Sequence, residues 1–116
     1  MKFKLEYSQI VRRKLRLLKR NLIEEYGEDT AIKQLREITE TARLLESNPD
    51  MGVAVSKLYN IDTDFRYIYK NHNYLFYYTE DERVIISELF NEREDFMVTL
   101  FGISGRTQES MDYWGE

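Results

Sequence analysis

The sequence predicts an α+β fold: an N-terminal strand, a two-helix hairpin, a three-strand antiparallel meander and a short C-terminal helix. Three observations predict it. Residues 2–7 alternate apolar and charged side chains, residues 8–48 carry two apolar stripes at helical spacing, and residues 64–90 hold three aromatic and β-branched runs parted by polar turns. With 116 residues, 42% of them hydrophobic and 14% aromatic, the chain has material for one packed core.

The elements follow in order. Phe3, Leu5 and Tyr7 against Lys2, Lys4 and Glu6 read as a half-buried strand. Ser8 offers an oxygen to the free N–H groups that begin a helix. Val11, Leu15, Leu18, Leu22 and Tyr26 recur at steps of three and four, with Arg12, Arg16, Lys19 and Arg20 on the opposite face. Gly27 ends this helix. Asp29 or Thr30 caps the next, whose stripe is Ala31, Leu35, Ile38, Ala42 and Leu45. Asn48-Pro49 stops it, because the residue before proline is disfavoured in α. The short turn between the two predicts an antiparallel hairpin.

Strands are predicted at 64–70, 74–79 and 84–90, joined by turns at 70–73 and 80–82. Asp95 caps a closing helix at 96–101, with Gly102 as its stop. Residues 103–116 form a mostly polar tail that holds the single tryptophan, Trp114. The expected core is Leu15, Leu18, Leu22, Leu35, Ile38, Phe76, Ile86 and Leu89. Two helix stripes do not suffice to cover Phe65, Tyr67, Tyr69, Tyr74, Phe76 and Tyr78 together, so part of that aromatic set is expected as a surface patch, a mark of interaction sites.

Charge is unevenly spread. Residues 1–20 hold eight Lys/Arg against Glu6, a balance of +7, inside a chain of net charge −4. The asymmetry suggests either a polar partner for the basic end or a solvated helix face. The acidic remainder disfavours general nucleic-acid binding, where phosphate contacts dominate affinity. There is no cysteine, one histidine (His72) and no glycine-rich phosphate loop, so neither metal nor organic cofactor is expected. The first residues lack the apolar run of a signal peptide and no stretch has the length of a membrane span. A cytoplasmic location is the corresponding expectation.

Phe65-Arg66-Tyr67, then Asn73-Tyr74-Leu75-Phe76-Tyr77-Tyr78, then Val84-Ile85-Ile86 leading through Leu89-Phe90-Asn91 to Glu92-Arg93-Glu94-Asp95-Phe96, resemble an arginine-bearing strand, an aromatic strand and a closing Arg-x-Asp-aromatic segment. These are features of the RelE/ParE superfamily, the toxins of type II toxin–antitoxin systems, and the element order matches as well. The resemblance covers roughly residues 1–102, leaving 103–116 as a tail. It implies a cognate antitoxin as partner. It also implies one of two actions: poisoning an essential target such as DNA gyrase by binding, or cleaving messenger RNA in the ribosome. A degenerate toxin-like binding protein is a third possibility.

RNA cleavage needs a base for the 2′-hydroxyl, stabilisation of the phosphorane charge and an acid for the leaving oxygen. By the resemblance, the closing arginine of ribonucleolytic members falls on Arg93, their middle-strand arginine is replaced by Tyr74, and their tyrosine falls near Thr99. Arg93, Arg66 and Lys57 are the catalytic candidates, with Lys70 and His72 as substitutes. Arg66 lies between aromatics in a strand and faces away from them, so a cross-strand pair with an acid such as Glu88 is its alternative role. Arg93 stands beside Glu92, Glu94 and Asp95, which can equally neutralise it. The tyrosines at strand spacing read better as packing than as a base-stacking platform.

Overall fold

The computed structural model describes residues 2–94, so the expected helix at 96–101 and the tail at 103–116 lie outside the described residues. Strand β1 (Lys4–Tyr7) leads into helix α1 (Gln9–Tyr26) and helix α2 (Glu28–Arg43), which ends in a 3-10 turn (Leu44–Glu46). Strand β2 (Val53–Ala54) and the short helix α3 (Val55–Tyr59) precede the meander of β3 (Arg66–Lys70), β4 (Asn73–Glu80) and β5 (Arg83–Asn91). The five strands lie in the order β1-β5-β4-β3-β2. The meander is antiparallel, as its short turns require, while β1 joins β5 in parallel, from Lys4 opposite Arg83 to Tyr7 opposite Ile86. The parallel pair, the two-residue β2 and α3 add to the four strands expected.

Local chemistry fixes the junctions. The Ser8 hydroxyl accepts from the Val11 N–H at 3.1 Å and donates to the Ser87 carbonyl at 3.1 Å, capping α1 and holding it to β5. Gly27, at φ 94°, is the C-cap of α1 and the N-cap of α2, so the two helices share one residue. Asp29 therefore sits inside the first turn of α2, where its charge favours the helix dipole, rather than acting as the cap. Asn71-His72 and Asp81-Glu82 join the meander strands with φ between 50° and 67° at all four residues. Two-residue turns of this hand match the twist of the strands they connect.

The helix-facing core contains Val11, Ile38, Ala42, Leu45, Ile68, Leu75, Tyr77, Val84, Ile86 and Leu89. A bulge lets it form. Phe76 pairs with Glu88 but Tyr77 pairs with Ile86, leaving Ser87 as an extra residue in β5. The extra residue reverses the alternation, so that Leu89 on one side of it and Val84 and Ile86 on the other all face the helices.

The outer face of the sheet carries its own cluster, Val55, Phe76 and Phe90, with Phe65, Tyr67 and Tyr74 packed against it. α3 brings Val55 onto that face and covers it in part: of the aromatics expected there Phe76 is buried, Phe65, Tyr67, Tyr74 and Tyr78 are half-buried, and Tyr69 is 47% exposed. Phe76 is buried as expected, but in this second cluster. Leu15, Leu18, Leu22 and Leu35 are half-buried and Tyr26 is exposed, short of the burial expected. Toward the hairpin tip, Leu22 and Tyr26 line an open cleft, and Leu18 borders both that cleft and the core.

Candidate functional site

The two ends of β3 are built differently. At the Arg66 end the chain is clamped. Tyr77, fully buried, donates its hydroxyl to the Pro49 carbonyl at 2.7 Å and accepts from the Gly52 N–H at 2.9 Å. Burial pushes the Tyr77 phenol above its usual range, which keeps it protonated and able to donate. Arg66 Nη1 donates to the Gly52 carbonyl at 2.9 Å and more weakly to Asp50, tying the same segment from the surface. Arg66 therefore does not pair with Glu88. Lys14 does, at 3.3 Å, while also donating to the Leu89 carbonyl at 3.0 Å and lying 4.4 Å from the centre of the Phe90 ring.

At the other end, the β3–β4 turn and the end of β5 face the α1–α2 tip across a cleft of about 660 Å³. Leu18, Leu22 and Tyr26 form its apolar wall. Asn21, Gln34, Asn71, Asn73 and Asn91 supply five amides, and Glu24, Glu25, Glu92, His72 and Arg93 complete the lining. A hollow of about 390 Å³ shares Leu18, Asn21, Asn73 and Asn91 with it and extends along α1 to Lys14 and Leu17. The framework is held by backbone and amide bonds. The Glu92 N–H donates to the His72 carbonyl at 2.8 Å, the Asn71 amide to Gln34 and Glu37, and the buried Asn73 amide to the Asn71 carbonyl at 2.7 Å.

Glu92 is the chemical centre of this end. Its Oε1 accepts from the Tyr69 hydroxyl at 2.5 Å and lies 3.0 Å from His72 Nδ1. These two bonds, that of Tyr69 first, hold the Glu92 carboxyl below its usual range, and the same bond raises the Tyr69 phenol. Glu92 thus stays an acceptor and Tyr69 a donor at neutral pH. An acceptor-only carboxylate places a proton on His72 Nδ1, which leaves Nε2 of the neutral ring as the acceptor. Sequence reading singled out neither Tyr69 nor Glu92 for chemistry, because neither stands in a local motif with His72.

The candidates named from sequence do not converge. Arg93 lines the cleft, its N–H donating to Asn91 Oδ1 at 3.0 Å. Arg66 begins β3 at the clamped end, four residues from Lys70, a span of about 13 Å at strand spacing. Lys57 is exposed on α3, on the Arg66 side of the sheet, where Ala54 pairs with Arg66. Tyr74 packs among the aromatics of the outer face, its ring centre 5.3 Å from that of Tyr67 and 5.0 Å from that of Tyr69. Thr99 lies outside the described residues. No group of three His, Cys, Asp or Glu that could hold a metal occurs among the described residues. No described helix is long and apolar enough to cross a membrane.

A helical hairpin backing a meander, with an N-terminal strand laid parallel on the last strand, defines a small α+β domain. The model of the ParE toxin of type II toxin–antitoxin systems, parDE, matches residues 5–96, and the chain belongs to that family. A solved structure of the chromosomal ParDE TA system from P. aeruginosa has the same fold. Its TM-score is 0.65 at 12% identity, over 77% of this chain and 95% of that one. Comparison with curated proteins finds no significant match. Membership of the family implies a cognate antitoxin as partner.

Proposed function

We propose that this chain acts as the toxin of its pair by binding an essential target without catalysis, DNA gyrase being the target class that the resemblance to ParE-like toxins suggests. The character of the cleft carries this reading. Three carboxylates, Glu24, Glu25 and Glu92, face it beside one arginine, Arg93, and five amides. That lining repels a phosphodiester backbone and suits hydrogen bonding to a polypeptide. Arg66, engaged with the 50–52 segment, and the distant Lys57 add no positive charge to it.

The reading is tested with purified chain and gyrase, following supercoiling and the accumulation of cleaved DNA. Inhibition that is reversed by adding the antitoxin supports it. Unaffected gyrase, together with message cut at defined positions upon induction, rejects it.

One observation favours the ribonuclease as a second reading. Glu92 orients His72, and Arg93 is the next residue, so a carboxylate-held imidazole stands beside a cation at the rim of a cleft. In that reading His72 Nε2 takes the 2′-hydroxyl proton, Arg93 faces the phosphorane, and the departing 5′-oxygen takes a proton from water. His72→Ala then abolishes message cleavage, whereas a toxin that only binds cleaves no message in either form.

A further inference from the structure

Helix α2 has a second face. Ala31, Ile38 and Ala42 are buried against the core, while Ile32, Arg36, Glu40 and Leu44 stand exposed on the far side. Leu44 caps the helix with a helical backbone, φ −60° and ψ −24°, so the four continue one another at steps of four residues. Residues at that step form a ridge along a helix surface. Ile32 is 38% exposed and Leu44 53%. Exposed apolar residues scattered singly are ordinary on a protein surface. The order of these two with the charges between them is not.

The ridge reads apolar, cation, anion, apolar. Laid antiparallel beside its own copy, it sets Ile32 against Leu44 and Arg36 against Glu40, each twice. Such a patch is complementary to itself, which is what a twofold interface requires. Neither Arg36 nor Glu40 forms an ion pair among the described residues. They do not pair with each other either, and a cation four residues before an acid is the weaker order on a helix. Both charges are therefore free to meet charges of a second chain.

The surface beside the ridge has the shape that a second ridge needs. Glu37, Glu40, Thr41 and Leu44 border, with Lys70, an open hollow of about 290 Å³. Four helix residues at i, i+3, i+4 and i+7 are the kind of hole into which a facing side chain inserts. With the ridges antiparallel, Ile32 of the second copy enters this hollow against Leu44. Its Arg36 then lies one turn back, beside Glu37 and Glu40, and its Glu40 a further turn back, beside Lys33 and Arg36. Ridges at steps of four interdigitate when helices cross at about −50°, the commonest packing of two helices.

We infer that two copies of this chain pair through α2, ridge against ridge, about a twofold axis. The ridge is about 18 Å long, so the contact is small and the dimer builds up with concentration. None of the four ridge residues lines the cleft at the hairpin tip, so pairing does not depend on what that cleft binds.

The test follows sedimentation of the full chain across a series of concentrations. Wild type is compared with Arg36→Glu, Glu40→Arg, and Lys57→Glu on α3 as the charge-reversal control. Wild type and Lys57→Glu are expected to pass from monomer to dimer as concentration rises. Arg36→Glu sets like charges against Glu40 of the copy, and Glu40→Arg sets them against its Arg36. Each is expected to weaken the dimer at least about tenfold. An equimolar mixture of these two variants restores both opposite pairs and is expected to form a mixed dimer close to wild type in strength. Two variants that merely misfold do not rescue each other. A wild type that stays monomeric throughout overturns the inference, as do single variants that dimerise like wild type or a mixture that fails to pair. A monomeric wild type whose Arg36→Glu variant loses affinity for the small protein encoded beside the chain makes the ridge that partner's site, and overturns the inference equally.

Discussion

Arg66 begins β3 between two aromatic residues, Arg93 follows the end of β5 between two glutamates, and the fold uses them in opposite ways. Arg66 joins a closed end, where Tyr77, Gly52 and Pro49 satisfy one another and the arginine ties the same loop from outside. Arg93 borders an open end, where Tyr69, His72 and Glu92 form an exposed chain of side-chain bonds over a cleft. An arginine bound to backbone carbonyls stabilises a fold. One at the mouth of an amide-lined cleft is available to a partner. The comparison teaches that an arginine's neighbours in sequence say little about its role, and that the hydrogen-bond acceptors around its guanidinium say much.

The largest expected effect falls at the closed end. A Cβ at Gly52 lies 2.6 Å from the Tyr77 hydroxyl and 2.8 Å from the Tyr67 carbonyl, so Gly52→Ala is expected to cost about 3 kcal/mol. Denaturant unfolding with unchanged m-value measures it, and a loss within experimental error means that the loop is not clamped. Tyr77→Phe removes the two hydrogen bonds of the hydroxyl and leaves the Gly52 N–H and the Pro49 carbonyl without that partner. A cost of about 2 kcal/mol is expected, with toxicity falling only in step with stability.

Two turn substitutions sharpen the contrast. His72 and Glu82 both hold positive φ without being glycine, and each substitution to glycine is expected to stabilise the chain by about 1 kcal/mol. Glu82→Gly leaves toxicity intact, because its turn is far along the meander from the cleft. His72→Gly weakens toxicity despite the added stability, because it removes a partner of Glu92. Equal toxicity in the two variants contradicts the assignment of function to the open end.

The smallest effect is electrostatic. Glu92 is held below the ordinary carboxylate range by Tyr69 first and His72 second. The bonding it supports is therefore complete above that range and is lost as pH falls through the lowered value. Carbon-detected titration of the Glu92 carboxyl is expected to give a midpoint below that of a free glutamate, and Tyr69→Phe to move it back up. An ordinary midpoint in wild type refutes the bonded chain.

Periodicity made the helices, the meander and their turns legible, because each is local. The parallel pairing of β1 with β5 joins residues 79 apart, Lys4 with Arg83 among them, and leaves no local pattern. Strand β2 has two residues and α3 five, too few for a period to register. The bulge at Ser87 reverses the alternation inside β5, which a strict period of two does not foresee. The apolar stripe of α1 gave its inward face correctly but not where the sheet beneath it ends, so Leu18 sits at the core's edge and Leu22 lines a cleft. Of the site, Arg93 and His72 were visible as residues. Their meeting with Tyr69 and Glu92 arises from a turn brought against a strand end, which only the fold provides.

The most direct test of the account compares Arg66→Ala with Arg93→Ala, measuring unfolding free energy and growth inhibition on induction for each. Arg66→Ala is expected to lose about 1 kcal/mol through its bond to the Gly52 carbonyl and to remain toxic at a temperature where it is folded. Arg93→Ala is expected to unfold within about 0.5 kcal/mol of wild type and to lose toxicity. A toxic Arg93→Ala, or an Arg66→Ala that is stable yet harmless, contradicts the division of the sheet into a structural end and a functional one.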